Sequence, residues 1–194
     1  MQPLSAADLM SLEQYARERP AMRARLIEHR KRRSLQIGAH CTWSFEDRLT
    51  VQYQVQEMLR IERIFEPSGI AEELEAYNPL VPDGTNLKAT VMLEYPDAAE
   101  RARRLRALRG FGPRCWMQVA GFERVTAVAD EDLERDSEEK TSAVHFVRFQ
   151  FTAPMIAAFK GGSALGAGVD HPEYRHSVEP VPASLRQALL EDFA

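Results

Sequence analysis

The chain has 194 residues, 44% of them hydrophobic and 28% charged, with a formal net charge of −4 at pH 7. A chain of this length buries well over half of its unfolded surface without a staple, and the composition excludes intrinsic disorder. The acidic balance offers no overall attraction to nucleic acid or anionic membranes, two cysteines exclude a disulfide framework, and no apolar run reaches the roughly 18 residues of a membrane span.

At the N-terminus Ser5, with Asp8 three residues on, makes a capping box for a helix over residues 6–18, with Leu4 stapled onto Leu9. Pro20 suits the first turn of a second helix ending near residue 32, so residues 1–33 are expected as a bent helical arm. Eight basic residues lie between positions 17 and 33 against two acids, and seven acids lie between 130 and 139. Solvated faces are the usual meaning of such runs; contact across the fold or a dimer interface is the alternative.

Alternation with a period of two marks residues 35–45 as one long strand. Helical spacing follows over residues 48–65, where Val51, Val55, Met58, Ile61 and Phe65 define an apolar arc that takes in Gln54 and Glu62. A short helix runs to Tyr77. Asn78, Pro79, Pro82, Asp83 and Asn86 then make a stiff loop before a strand over residues 87–95.

Asp97 and Glu100 cap an arginine-rich helix that Gly110 ends. Strands over 115–120 and 123–129 join at Gly121-Phe122, a strand covers 142–151, and a helix from Pro154 stops at Gly161-Gly162. Strands over 165–169 and 174–181 and a helix from Ala183 complete the chain. Short turns between strands predict an α+β fold: one domain over residues 1–194, a largely antiparallel sheet of about six to seven strands over 34–194, helices packed on it, and the N-terminal helical arm.

The common phosphate-loop, zinc-protease, nucleophile-elbow and calcium-loop motifs are absent, so no catalytic residue is assigned and enzyme activity stays undecided. Four polar residues stand out by their positions. Glu62 falls inside the apolar arc, where an unpaired charge is costly. His145 shares a strand face with Val147 and Phe149, and Asp170-His171 sits at a strand end before Pro172. If Glu62, His145, Asp170 and His171 converged, they would suit iron, zinc or manganese. The structural alternative for His145 is a satisfied core histidine, for Asp170-His171 a turn, and for Glu62 an ion pair. Lys88, Lys140 and Arg148 are the candidates for holding a small anionic ligand, and the stiff loop with Asn78 and Asp83 is a candidate for ligand or partner recognition, with plain turn chemistry as its alternative. The arginine-rich helices lack interleaved aromatics, which argues against nucleic acid.

Several segments together resemble the bacterial domain-of-unknown-function family 3501: Tyr53-Gln54-Val55-Gln56-Glu57-Met58-Leu59-Arg60, Ala76-Tyr77-Asn78-Pro79-Leu80, Pro82-Asp83-Gly84, Asn86-Leu87-Lys88-Ala89-Thr90, Lys140-Thr141-Ser142-Ala143-Val144-His145-Phe146 and Gly168-Val169-Asp170-His171-Pro172. Members tend to be encoded beside rubrerythrin-like diiron proteins and iron–sulfur oxidoreductases. The resemblance therefore implies an accessory or interaction protein of bacterial redox or metal physiology, with such an oxidoreductase as partner. A metal-binding protein or metal-dependent enzyme is the alternative. A cytoplasmic location is expected from the reduced-cysteine pattern and the lack of a signal segment, and apolar residues on both faces of the 142–151 strand make a homodimer a candidate.

Overall fold

The predicted capping box forms, with the Asp8 carboxylate accepting from the Ser5 N–H and hydroxyl at 2.8 Å, but it closes only a 3-10 turn over Ala6–Asp8. In the computed structural model, which describes residues 2–131, 135–137 and 139–193, the long helix begins later. Helix α1 spans Leu12–Lys31, capped by the Ser11 side chain. Pro20 lies inside α1 instead of starting a second helix. Its ring is exposed, and buried Tyr15 and Leu26 anchor the helix on either side. That anchoring offsets the roughly 3 kcal/mol a mid-helix proline costs. The helical arm lies along α2 (Arg48–Glu62): Tyr15 Oη donates to Glu57 at 2.6 Å, and Arg19 grips the same carboxylate at 2.7 and 2.9 Å.

Residues 35–45 make two strands, not one. β1 (Ser34–Gln36) and β2 (Cys41–Phe45) form a hairpin that turns at Gly38. Its φ is +68°, and a Cβ there would meet Tyr174 Oη at 2.6 Å, so alternation runs through a position only glycine fills.

The apolar arc expected on α2 is also misplaced. Val51, Val55 and Leu59 are buried, whereas Ile61 and Phe65 are 60% and 69% exposed. The helix ends at Glu62 and Arg63 turns left-handed at φ 56°, so the chain leaves the helix before Phe65 could complete the stripe.

Helix α3 (Pro67–Tyr77) leads through a 3-10 turn to β3 (Asn86–Leu93), and α4 (Ala98–Ala107) is capped by Asp97 as its sequence predicts. Then come β4 (Cys115–Val119), β5 (Val125–Thr126), β6 (Val128–Ala129), β7 (Val144–Gln150), α5 (Ala153–Lys160), β8 (Leu165–His171), β9 (Tyr174–Val178) and α6 (Ala183–Leu190).

The fold is α+β with antiparallel pairing throughout, but the strands divide between two sheets: β1-β2-β3-β7-β6 and β5-β4-β8-β9. The division occurs at Ala127. The strand expected over 123–129 pairs with β4 up to Thr126 and with β7 from Val128, crossing from one sheet to the other. Alternation reports which residues face inward, not which sheet they join.

The sheets pack face to face. Trp43, Leu87, Val91, His145, Val147 and Phe149 from the larger sheet are buried, as are Cys115, Met117, Leu165, Ala167 and Val169 from the smaller. A second core of Leu4, Val51, Val55, Leu59, Leu74 and Val81 binds the helices to one another. Helices α1–α3 thus face the outer side of the five-stranded sheet, while Leu105 of α4, Phe159 of α5 and Leu189 of α6 join the core shared by the two sheets. Arg33, fully buried, ties the C-terminus to this frame, donating to the carbonyls of Phe45, Glu46 and Ala188 at 3.0–3.1 Å and to Asp192 at 2.5 Å. No helix among the described residues is long and apolar enough to cross a membrane.

Candidate functional site

The outer face of the five-stranded sheet is not packed tightly by the helices. Between them lies a cleft of about 420 Å³, within the range of ligand-binding pockets. Its floor is polar because side chains alternate along β3 and β7. As Leu87, Ala89, Val147 and Phe149 turn into the sandwich, Lys88, Thr90, Phe146 and Arg148 turn toward the helices. Met58, Tyr77, Pro79, Leu80 and Phe146 make the apolar wall, and Glu73, Glu131 and Arg135 stand with Lys88 and Arg148 as its charged groups.

Lys88 lies opposite Arg148 in the β3–β7 register. Its ammonium donates to the carbonyls of Pro79 and Val81, the latter at 3.0 Å, and burial holds its pKa below the ordinary lysine value. Arg148 holds Glu131 through two hydrogen bonds of 2.7 and 2.8 Å, which lowers the Glu131 pKa and raises that of Arg148. The Glu131 side chain is 52% exposed. Arg148 thus holds a carboxylate in fork geometry at the cleft, and that carboxylate is half in water. Arg135 stacks on the Phe146 ring at 4.6 Å. Glu73 is pushed up by burial and by its neighbours Glu62 and Glu72.

A second chamber of about 230 Å³ adjoins the first and shares Tyr77, Leu80 and Phe146 with it. Arg30, Ser44, Glu46 and Thr90 line it. Glu46, 7% exposed, accepts from the Thr50 hydroxyl at 2.5 Å and the Thr90 hydroxyl at 2.6 Å.

The other ligand candidates from the sequence bond elsewhere. Asn78 bonds both the N–H and the carbonyl of Leu4, at 2.7 and 2.9 Å, and Asp83 accepts from the Thr85 N–H and hydroxyl. Lys140 is exposed and its N–H donates to Ser137. Lys88 and Arg148 are the two of the five that line the cleft.

The four metal candidates do not come together. Among the described residues no group of three or more His, Cys, Asp and Glu side chains is placed to hold a metal ion. Glu62 is exposed, because the buried stripe of α2 runs through Leu59. Asp170 pairs with Arg175 across the β8–β9 hairpin at 2.7 Å. His171 bonds the Arg109 carbonyl through Nε2 at 2.9 Å and accepts the Glu173 N–H at Nδ1 at 3.2 Å. His145, fully buried, bonds Asp130 through Nδ1 at 2.6 Å and Thr141 through Nε2 at 2.9 Å. Both nitrogens of each ring are occupied, which leaves no lone pair for a metal.

Asp130, His145 and Thr141 have the connectivity of an acid, base and hydroxyl nucleophile. Thr141 is 1% exposed and lines neither chamber. The triad is a clamp. His145 ties Asp130 and Thr141, which lie on either side of positions 131–140 in the sequence, to β7. Asp130 also carries a positive φ of 54° and accepts the Phe146 N–H, strain that the clamp sustains. Cys41 and Cys115 are buried free thiols; burial pushes Cys41 up to about 12 and raises Cys115 as well, so neither is poised as a nucleophile.

Among the described residues no ion pair joins the basic run to the acidic run. Arg19 pairs with Glu57, Arg33 with Asp47 and Asp192, and Glu131 with Arg148, while Asp132, Glu134 and Glu138 of the acidic run lie outside the described residues. Reasoning from sequence missed Arg30, Glu46 and Asp130. Each belongs to a charge run or an element end, and only the fold turns it inward.

No curated protein matches the chain significantly. A crystal structure of a protein of unknown function from Burkholderia pseudomallei K96243 is 45% identical in sequence, covers the whole of both chains and superposes with a TM-score of 0.94. The two proteins share one fold over their whole length. The family model for the protein of unknown function DUF3501 matches residues 3–193, and the chain belongs to that family.

Proposed function

We propose that the protein is a binding module for a small organic anion, taken up in the cleft between the helices and the five-stranded sheet. The observation that carries this reading is the Lys88–Arg148 pair. Like charges opposite each other weaken an antiparallel pairing, so a sheet with only a structural role gains nothing from them. An anion between them reverses the sign of that interaction. Glu131 models the ligand: its carboxylate sits on Arg148 and is half exposed, so a ligand carboxylate or phosphate replaces it without uncovering a buried charge. Tyr77, Leu80, Met58 and Phe146 would cover an apolar body.

Among the described residues no side chain at the cleft is arranged as a nucleophile with its base, and the reading is binding without turnover. Calorimetry and thermal shift with carboxylic acids, phosphates and neutral amides of matched size test it. Acids are expected to bind and amides not, with a stabilisation of about 2.7 kcal/mol when free ligand exceeds its Kd about 100-fold. Silence across the acids, or acid binding that survives Arg148→Met unchanged, would overturn the reading.

A further inference from the structure

We infer that the inner chamber recognises the zwitterionic end of an α-amino acid, with Arg30 taking its carboxylate and Glu46 its ammonium group. The inference rests on the anion-binding reading above and names the ligand's class. Glu46 accepts one hydroxyl on each oxygen, Thr50 on Oε2 and Thr90 on Oε1, which leaves each oxygen a further lone pair. Arg30 reaches the same chamber from the last turn of α1. Among the described residues its guanidinium has no hydrogen-bond or ion-pair partner, and its Nε is shielded from solvent.

Two opposite charges thus line one chamber without pairing with each other. Glu46 is buried, and Arg30 is half-buried with its Nε out of water, so the chamber holds one carboxylate and one guanidinium without a counter-charge between them; a ligand that carries both complementary charges at once compensates both. An inorganic anion or a simple carboxylic acid satisfies Arg30 and is repelled by Glu46. An ammonium beside a carboxylate satisfies the two together.

The outer cationic pair then sets the rest of the ligand. Thr90, which holds Glu46, lies two residues along β3 from Lys88 and on the same face, a separation of about 7 Å. The apolar wall shared by the two chambers lies between. A ligand filling both is an amino acid whose side chain ends in a second negative group: an acidic amino acid, or a derivative whose acid is carried further out.

Calorimetry on the wild-type protein compares L-glutamate and L-2-aminoadipate with glutarate and adipate, which lack only the α-amino group. The amino acids are expected to bind at least about tenfold more tightly than the matching diacids. Glu46→Gln is expected to shrink that preference to about twofold or less while adipate affinity is kept or raised, and Arg30→Met is expected to weaken amino acids and diacids alike, at least about tenfold. Glu46 is buried, so thermal unfolding of Glu46→Gln is checked first; the wild-type comparison and Arg30→Met decide the matter if that variant does not fold. Adipate binding as tightly as aminoadipate overturns this inference and leaves the outer anion seat standing. Binding of neither amino acids nor diacids overturns both.

Discussion

Lys88 and Arg148 stand directly opposite each other on β3 and β7, with both side chains on the face that meets the helices. Each is offset by other partners, Lys88 by the Pro79 and Val81 carbonyls and Arg148 by Glu131. Neither offset needs the two cations in register. Both line the cleft above the sheet, and the anion proposed to bind there would give the two cations a shared partner.

Replacing Arg148 with methionine should therefore leave stability within about 1 kcal/mol of wild type, because the Glu131 partner is half exposed and the repulsion from Lys88 is relieved. Anion affinity should fall at least about tenfold. Urea denaturation and calorimetry on the same preparation separate the two. A large loss of stability with unchanged binding would make Arg148 structural.

Arg33 behaves differently. It is fully buried and donates to three carbonyls and Asp192. Arg33→Met strands the Asp192 carboxyl and three acceptors and should cost about 3–5 kcal/mol. Asp192→Asn on that background should recover part of the loss, since it removes the unpaired acid. Equal destabilisation of single and double variants would show that the pair itself carries little.

Acid should loosen α1 from α2. Arg19, then the Tyr15 hydroxyl and Arg60, hold the Glu57 carboxyl down to about 2 from an ordinary 4.5. A depressed carboxyl adds stability that is fully present above pH 4.5 and lost as pH falls toward 2. Glu57→Gln should cost about 1–2 kcal/mol at pH 7 and flatten the decline below pH 4.5. Denaturant midpoints measured from pH 7 down to 2.5 would show it. Parallel decline in both proteins would assign the acid sensitivity to other carboxyls, Asp8 among them, which Arg48 and Ser5 also hold down to about 2.

His145→Ala removes the clamp across residues 131–140. It leaves the Asp130 carboxyl and Thr141 hydroxyl without their ring partner and opens a cavity beside Phe111, so a loss of about 3 kcal/mol is expected. Glu131 and Arg135 belong to the loop it holds, so anion binding should weaken as well. Amide exchange at Asp130 and Phe146 should accelerate more than at β3. Uniform acceleration over the whole sheet would mean that His145 fills the core without positioning the loop.

Local sequence signals determined the α+β class, the antiparallel pairing and most element positions. They act through spacing along the chain: the Asp97 cap, the glycines after α5, and the alternation of β3 and β7 that puts Leu87 and Phe149 on one side and Lys88 and Arg148 on the other. The same alternation brought Lys88 and Arg148 forward as anion candidates. Tertiary structure decided the rest, because the quantities involved are not local. Alternation cannot tell that a strand changes sheets at Ala127, and a histidine's residue type does not reveal that Asp130 and Thr141 already occupy both its nitrogens. Whether Arg33 is buried and Arg30 left facing a chamber depends on where Asp192, Phe45 and Glu46 arrive, and burial with a distant partner is a property of the packed chain alone.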